Sequence, residues 1–130
     1  MTGAAVTVQV ARDAVAQQTA LSDWLAAHPD VVYLDSNRQV AAVIAEGTFS
    51  VLAAPVGVVV ERIAVGCVCC VGQIALRVTL TRLLRAHRPK RLLLLLASGE
   101  HIDRVRRMLG DEQFATVLRM QDPVHDAGSR

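Results

Sequence analysis

The stretch from Val58 to Gly99, VVVERIAVGCVCCVGQIALRVTLTRLLRAHRPKRLLLLLASG, decides the fold. Val58 to Ile63 reads as a strand, set off from what precedes it by Pro55 and Gly57. Beyond Gly72, the residues Ile74, Leu80, Leu83 and Leu84 recur at helical spacing opposite Gln73, Arg77, Thr81, Arg82 and Arg85, and Pro89 stops the helix. Leu92 to Leu96 is an unbroken apolar run, the pattern of a parallel strand covered on both faces. Strands alternating with helices predict an α/β chain: a three-layer, open, mostly parallel sheet of about four strands.

Outward from this stretch the alternation continues. Val6, Val8 and Val10 interleave with Thr7 and Gln9 at period two, predicting a first strand. From Asp13 onward Ala14, Leu21, Trp24 and Leu25 keep helical spacing until Pro29 after His28. Val31 to Leu34 reads as a short strand, whereas Arg38 to Ala54 reads both ways: Val40, Val43 and Ile44 suggest a helical face, and Thr48 to Leu52 an extended one. After the Ser98-Gly99 turn, Ile102, Val105, Met108 and Leu109 predict a helix closed by Gly110, and Asp111 can cap a short one carrying Phe114, Val117 and Leu118. Residues 1–120 are expected to form one domain, with Gln121 to Arg130 a loose tail. Ligands collect at strand C-terminal ends in open α/β sheets, which singles out the segment after Ile63 and the Ser98-Gly99 turn.

Composition narrows the function. With 130 residues the chain can bury a core without disulfide staples, and with 52% hydrophobic but only 3% aromatic residues that core is aliphatic. A net charge of +2 does not call for nucleic acid or an anionic membrane, and the arginine-rich stretches at 77–91 and 104–107 lack interleaved aromatics for base stacking; they read as solvated helix faces. The N-terminus has no basic region followed by an apolar one, and the run Leu92 to Ala97 is far too short to cross a bilayer. A cytoplasmic protein is expected.

All three cysteines of the chain stand between Gly66 and Gly72, in Gly-Cys-Val-Cys-Cys-Val-Gly. In a reducing compartment such a cluster points to metal or redox chemistry rather than to a structural disulfide. Cys67, Cys69 and Cys70 can converge on one thiophilic ion: zinc, which prefers four tetrahedral ligands, or Cu(I), which accepts two or three thiolates. A fourth zinc position would be filled by water, Glu61, His87, His101 or a partner's group, with His101 favoured because it follows the Ser98-Gly99 turn. Cys67 and Cys70 equally satisfy the CxxC spacing of a thiol-redox pair, and all three could be small apolar filler beside Val68 and Val71. His28 and His125 read as a helix-end and a tail residue.

The order Glu61-Arg62-Ile63-Ala64-Val65-Gly66-Cys67-Val68-Cys69-Cys70, a Leu-bearing helix, and then Pro89 to Gly99 resembles the CobW-like P-loop GTPases, a family of metal chaperones and insertases with a GCxCC metal-binding motif. The resemblance is strongest at Gly66 to Cys70 and extends through about Leu109. It implies a P-loop-NTPase-like fold and a metal-handling role. It also implies a phosphate loop, GxxxxGK followed by Ser or Thr, after the first strand. Laid after Val10, that pattern puts Ala11 and Ala16 at the glycines, Gln17 at the lysine and Gln18 at the hydroxyl, leaving Thr19 as the single vestige. Leu96 stands where the family has an acidic residue three places before the glycine of its Glu-x-Ser/Thr-Gly segment, and no guanine-reading NKxD segment appears. These departures from the family pattern imply a pseudo-GTPase that does not hydrolyse GTP and for which GTP is not an expected cofactor, residual nucleotide binding through Thr19 being left open.

In this type of domain the first strand lies beside the one corresponding to Leu92 to Leu96, and its other neighbour would come from sequence absent here. The Val6 to Val10 strand is accordingly expected to be an open edge, through which the chain would self-associate or dock to a partner GTPase by strand addition.

Overall fold

A computed structural model of the chain describes residues 4–28, 41–47, 52–55, 57–63, 74–111, 114 and 117–120. In chain order these form β1 (Ala4–Val10), α1 (Ala14–Ala27), β2 (Ala41–Glu46), β3 (Val58–Ile63), α2 (Ile74–His87), β4 (Arg91–Leu96), a 3-10 turn at Gly99–His101, α3 (Ile102–Leu109) and β5 (Leu118–Met120). The strands make one sheet in the order β3-β2-β4-β1-β5. Every pairing is parallel, with Val6 opposite Leu92, Ile44 opposite Leu94, and Ile44 opposite Glu61. The α/β architecture expected from the sequence is present, as four strands of six or seven residues and a three-residue fifth.

Helices cover both faces. On one, Leu21 and Trp24 of α1 pack with Leu52 on Ala41, Val43, Leu93 and Leu95. On the other, Leu76, Leu80 and Leu83 of α2 and Val105, Met108 and Leu109 of α3 pack on Val6, Val8, Ile44, Leu92, Leu94 and Leu96. Consecutive residues of β4 feed opposite cores, which is why its sequence shows no polar alternation.

The chain direction follows from handedness. Parallel crossovers are right-handed, so connections running one way across the sheet place their helices on one face, and those running back place theirs on the other. From β1 the chain crosses over α1 to β2 and on to β3; from β3 it returns over α2 to β4 and over α3 to β5. The reversal leaves the chain departing toward opposite faces from two adjacent strands, β1 and β4. Their C-terminal ends form the topological switch point, where open α/β sheets place ligands.

Helix ends obey local chemistry. Asp13 caps α1, its Oδ1 accepting from the Ala16 amide at 2.8 Å. His28 closes α1: its Nδ1 donates to the Trp24 carbonyl at 2.9 Å, and its ring meets the Trp24 ring edge-on, centroids 5.6 Å apart. Arg88 ends α2 in the left-handed region, at φ 46°, with its amide donating to the Leu84 carbonyl, and Pro89 follows.

Three expectations need correction. Leu118, expected in a short helix, begins β5, because its carbonyl and amide neighbours are taken up by the ladder to Ala4, Ala5 and Val6. That same ladder corrects the placement of the first strand: β1 lies between β4 and β5 rather than at an edge, so its N-terminal half offers no open ladder for strand addition. Of the ambiguous stretch 38–54, Ala41 to Glu46 is a fully buried strand between β3 and β4. The expected strand at Val31 to Leu34 and the tail from Gln121 lie outside the described residues. Among the described residues no helix is long and apolar enough to cross a membrane.

Candidate functional site

The switch point is where the strands should open a crevice, and here it is closed by the chain itself. The β1–β4 ladder runs one residue past the strands, the Ala11 amide donating to the Leu96 carbonyl at 2.7 Å. Gly99, in the turn after β4, lies so near β1 that a Cβ there would stand 3.4 Å from Cγ2 of Val10. A three-residue connection, 11–13, leads from β1 directly into α1.

Gln17 fills the space beneath. Its side chain is 0% exposed, and Nε2 donates to the Glu46 carbonyl at 2.9 Å and, more weakly, to the Ala11 carbonyl at 3.5 Å. Arg62 of β3 donates from Nη1 to Gln17 Oε1 and to the Gly47 carbonyl, each at 3.4 Å. Glu46 is 3% exposed, and its Oε1 accepts from the Ala97 amide at 2.8 Å, which spans from the end of β2 to the end of β4. Gly47, at φ 128°, turns the chain in a conformation closed to side chains with a Cβ, and its amide donates to Ile63 at 2.7 Å. One amide group thus ties α1 to the ends of β1, β2 and β3, and one carboxylate ties β2 to β4.

The geometry bears on the phosphate loop that the family resemblance suggests. A phosphate nest needs unclaimed backbone amides converging at a helix N-terminus. At α1 the Ala16 amide is taken by the Asp13 carboxylate and the Gln17 amide by the Asp13 carbonyl, at 2.9 Å. The capping carboxylate also sets negative charge where a phosphate would add more of the same sign. Ala14 to Ala16, which would belong to the wrapping loop, are already helical. Gln17, at the lysine position, is turned inward onto backbone carbonyls, and Gln18 is engaged with Ala53, Oε1 accepting from its amide at 2.9 Å and Nε2 donating to its carbonyl at 3.1 Å. Thr19 lies exposed on α1.

The sequence-derived metal candidates separate by position. Cys67, Cys69 and Cys70 lie outside the described residues; segment 64–73 leaves the C-terminal end of β3 and leads into α2. Glu61 is held by Arg82 through two hydrogen bonds of 3.1 Å, and this contact, opposed by partial desolvation and reinforced by the charges of Arg82 and His87, lowers its carboxyl pKa. His87 closes the 14-residue α2, about 20 Å of helix away from the end that adjoins the cysteine segment. His101 ends the 3-10 turn after β4, at the same sheet edge as the end of β3 and two strand spacings across, about 10 Å. Among the described residues no group of three or more His, Cys, Asp or Glu is placed to hold a metal ion.

Sequence reasoning missed Glu46. It treats the family's acidic position as lost at Leu96, which is indeed fully buried hydrocarbon in β4. The signal was an acidic residue closing the apolar run Ala41 to Ala45 just before a glycine, a strand-end position in an α/β sheet. Comparison with protein-family models, with curated proteins and with solved structures finds no match to this chain.

Proposed function

We propose that this chain is a catalytically silent, CobW-like domain of P-loop type that binds a thiophilic ion, zinc before copper, through Cys67, Cys69 and Cys70, and serves in metal handling. The observation that carries the reading is the buried Gln17 at the switch point: the place where a nucleotide would bind in a P-loop domain is filled by an internal amide and bridged by Glu46. With that crevice committed to structure, the groups we assign the chemistry to are the thiols of the segment that follows β3 and precedes α2 in the chain.

The donor set fits zinc chemically, since three thiolates leave one exchangeable position, and an open position suits transfer to an acceptor better than permanent retention. The protein ligand proposed for that fourth place is His101, which ends the 3-10 turn after β4. Glu61 would first have to leave Arg82, and His87 belongs to the far end of α2.

Native mass spectrometry of protein purified without chelator tests the reading. One zinc or copper per chain, lost in a Cys67→Ser, Cys69→Ser, Cys70→Ser triple variant, together with no saturable magnesium-dependent GTP binding, is expected. Metal-free protein that undergoes a reversible loss of two hydrogen masses and turns over a dithiol would replace it with a thiol-redox function. Micromolar GTP binding would overturn the silent-domain part.

A further inference from the structure

The outer face of α2 carries a feature that the fold does not use. Its inner face, Leu76, Leu80 and Leu83, is buried in the core, but Ile74 and Val78, one turn apart, are each 59% exposed. Along the same side runs an open groove of about 560 Å³ lined by Arg77, Val78, Thr81, Arg82, Arg85 and Ala86. The helix sequence, IALRVTLTRLLRAH, contains no acidic residue, so every charge the helix itself brings to this face is positive, and the carboxylates there, Asp111 and Glu61, come from outside it.

The arginines differ in commitment. Arg77 is paired to Asp111 at 2.6 Å and Arg82 to Glu61 at 3.1 Å, contacts that fix the two guanidinium groups as walls of the groove. Arg85 makes no ion pair among the described residues and is exposed. Val78 and Arg85 stand two turns apart on one stripe, with Thr81 between them. An apolar anchor at one end, an uncommitted cation at the other and held cations alongside form a mixed surface whose complement is apolar and acidic.

We infer that this face of α2 docks an acidic amphipathic segment of a partner protein, seating an apolar side chain on Ile74 and Val78 and a carboxylate on Arg85. A second copy of the chain is disfavoured as the occupant, because two such helices packed together would oppose arginine with arginine. A lipid surface fits less well, since the broad apolar face of α2 is consumed by the core and the exposed remainder is two aliphatic side chains set among arginines. This inference does not depend on the metal reading.

The test is titration of the full-length, nitrogen-15-labelled protein with a synthetic 15-residue peptide carrying Leu at positions i, i+4 and i+7 and Glu elsewhere on its surface. Expected are saturable amide shifts confined to 74–86 and Asp111, and affinity lowered about fivefold or more by Val78→Glu and by Arg85→Glu. Both residues are exposed, so the variants should keep the native circular dichroism and melting curve. Ser22→Glu, which adds negative charge on α1, should leave affinity unchanged. Shifts scattered over the molecule, equal affinity for a peptide with Lys in place of Glu, or indifference to both α2 variants would overturn the proposal. So would concentration-dependent self-association abolished by Arg85→Glu, which would identify a second copy as occupant, or tighter α2-dependent binding to vesicles of anionic phospholipid than to the peptide.

Discussion

Replacing Gln17 by alanine tests the reading of the switch point most directly. The substitution removes one methylene and an amide from a site that is 0% exposed. The buried methylene contributes about 0.8 kcal/mol. The 2.9 Å hydrogen bond to the Glu46 carbonyl contributes about 1 kcal/mol net, and leaving that buried carbonyl without its side-chain donor adds a desolvation penalty of roughly 1–3 kcal/mol. The contacts at 3.4 and 3.5 Å are too long to add much. Loss of the whole set should lower the unfolding free energy by about 3–5 kcal/mol, falling to about 2 kcal/mol if a water enters the vacated space and bonds to Glu46. Against a total of about 5–15 kcal/mol, this is a large fraction. Urea unfolding followed by tryptophan fluorescence reads it well, because Trp24 lies buried in the core that α1 shares with the sheet. A shift below about 0.5 kcal/mol at unchanged denaturant slope would refute the reasoning, since a glutamine so inconsequential would not be a structural plug. Nucleotide supplies a second criterion: the variant should gain no GTP binding, because Asp13 still holds the first-turn amides of α1.

Asp13→Ala should destabilise by about 1 kcal/mol through loss of the α1 cap, seen as a lower urea midpoint. Leu94→Ala, in the central strand and buried against both α2 and α3, should lower stability by about 2–5 kcal/mol in the same assay. The Glu61–Arg82 pair predicts a pH dependence. Because the folded-state pKa of Glu61 lies below its unfolded value of about 4.3, its stabilising contribution is complete above that pH and disappears as pH falls through the lower folded value. Glu61→Gln should therefore be slightly less stable than the parent at pH 6 and equal to it in strong acid, with the difference shrinking in high salt, as befits a surface pair. A difference that persists below both pKa values would point to packing instead.

The α/β alternation was legible because its signals are local. The leucines of β4 have no polar interruption, the α2 leucines keep a 3.6-residue period, and Asp13, Pro89 and Gly110 punctuate helix ends, so the strands at 58–63 and 91–96 and the helices between and after them were readable from residue order. Two elements were not. Ala41 to Glu46 is rich in alanine, which has little strand preference; it is extended because β3 and β4 flank it and both its faces are buried. Leu118 to Met120 is held by a ladder to residues more than a hundred positions earlier, a pairing with no local trace.

Residue order by itself determined that this chain layers helices on a parallel sheet, where its three cysteines fall in that alternation, and that the lysine and glycines of a phosphate loop are absent, since each depends on the identity and spacing of near neighbours. Tertiary structure alone decided what occupies the switch point. Gln17, Glu46, Arg62 and Ala97 come from separate elements and meet only when the sheet assembles, and an inward amide and an outward one look the same in sequence. The physical reason is that burial of a polar group depends on partners distant along the chain: Gln17 can leave water only because the carbonyls of Ala11 and Glu46 wait for it there.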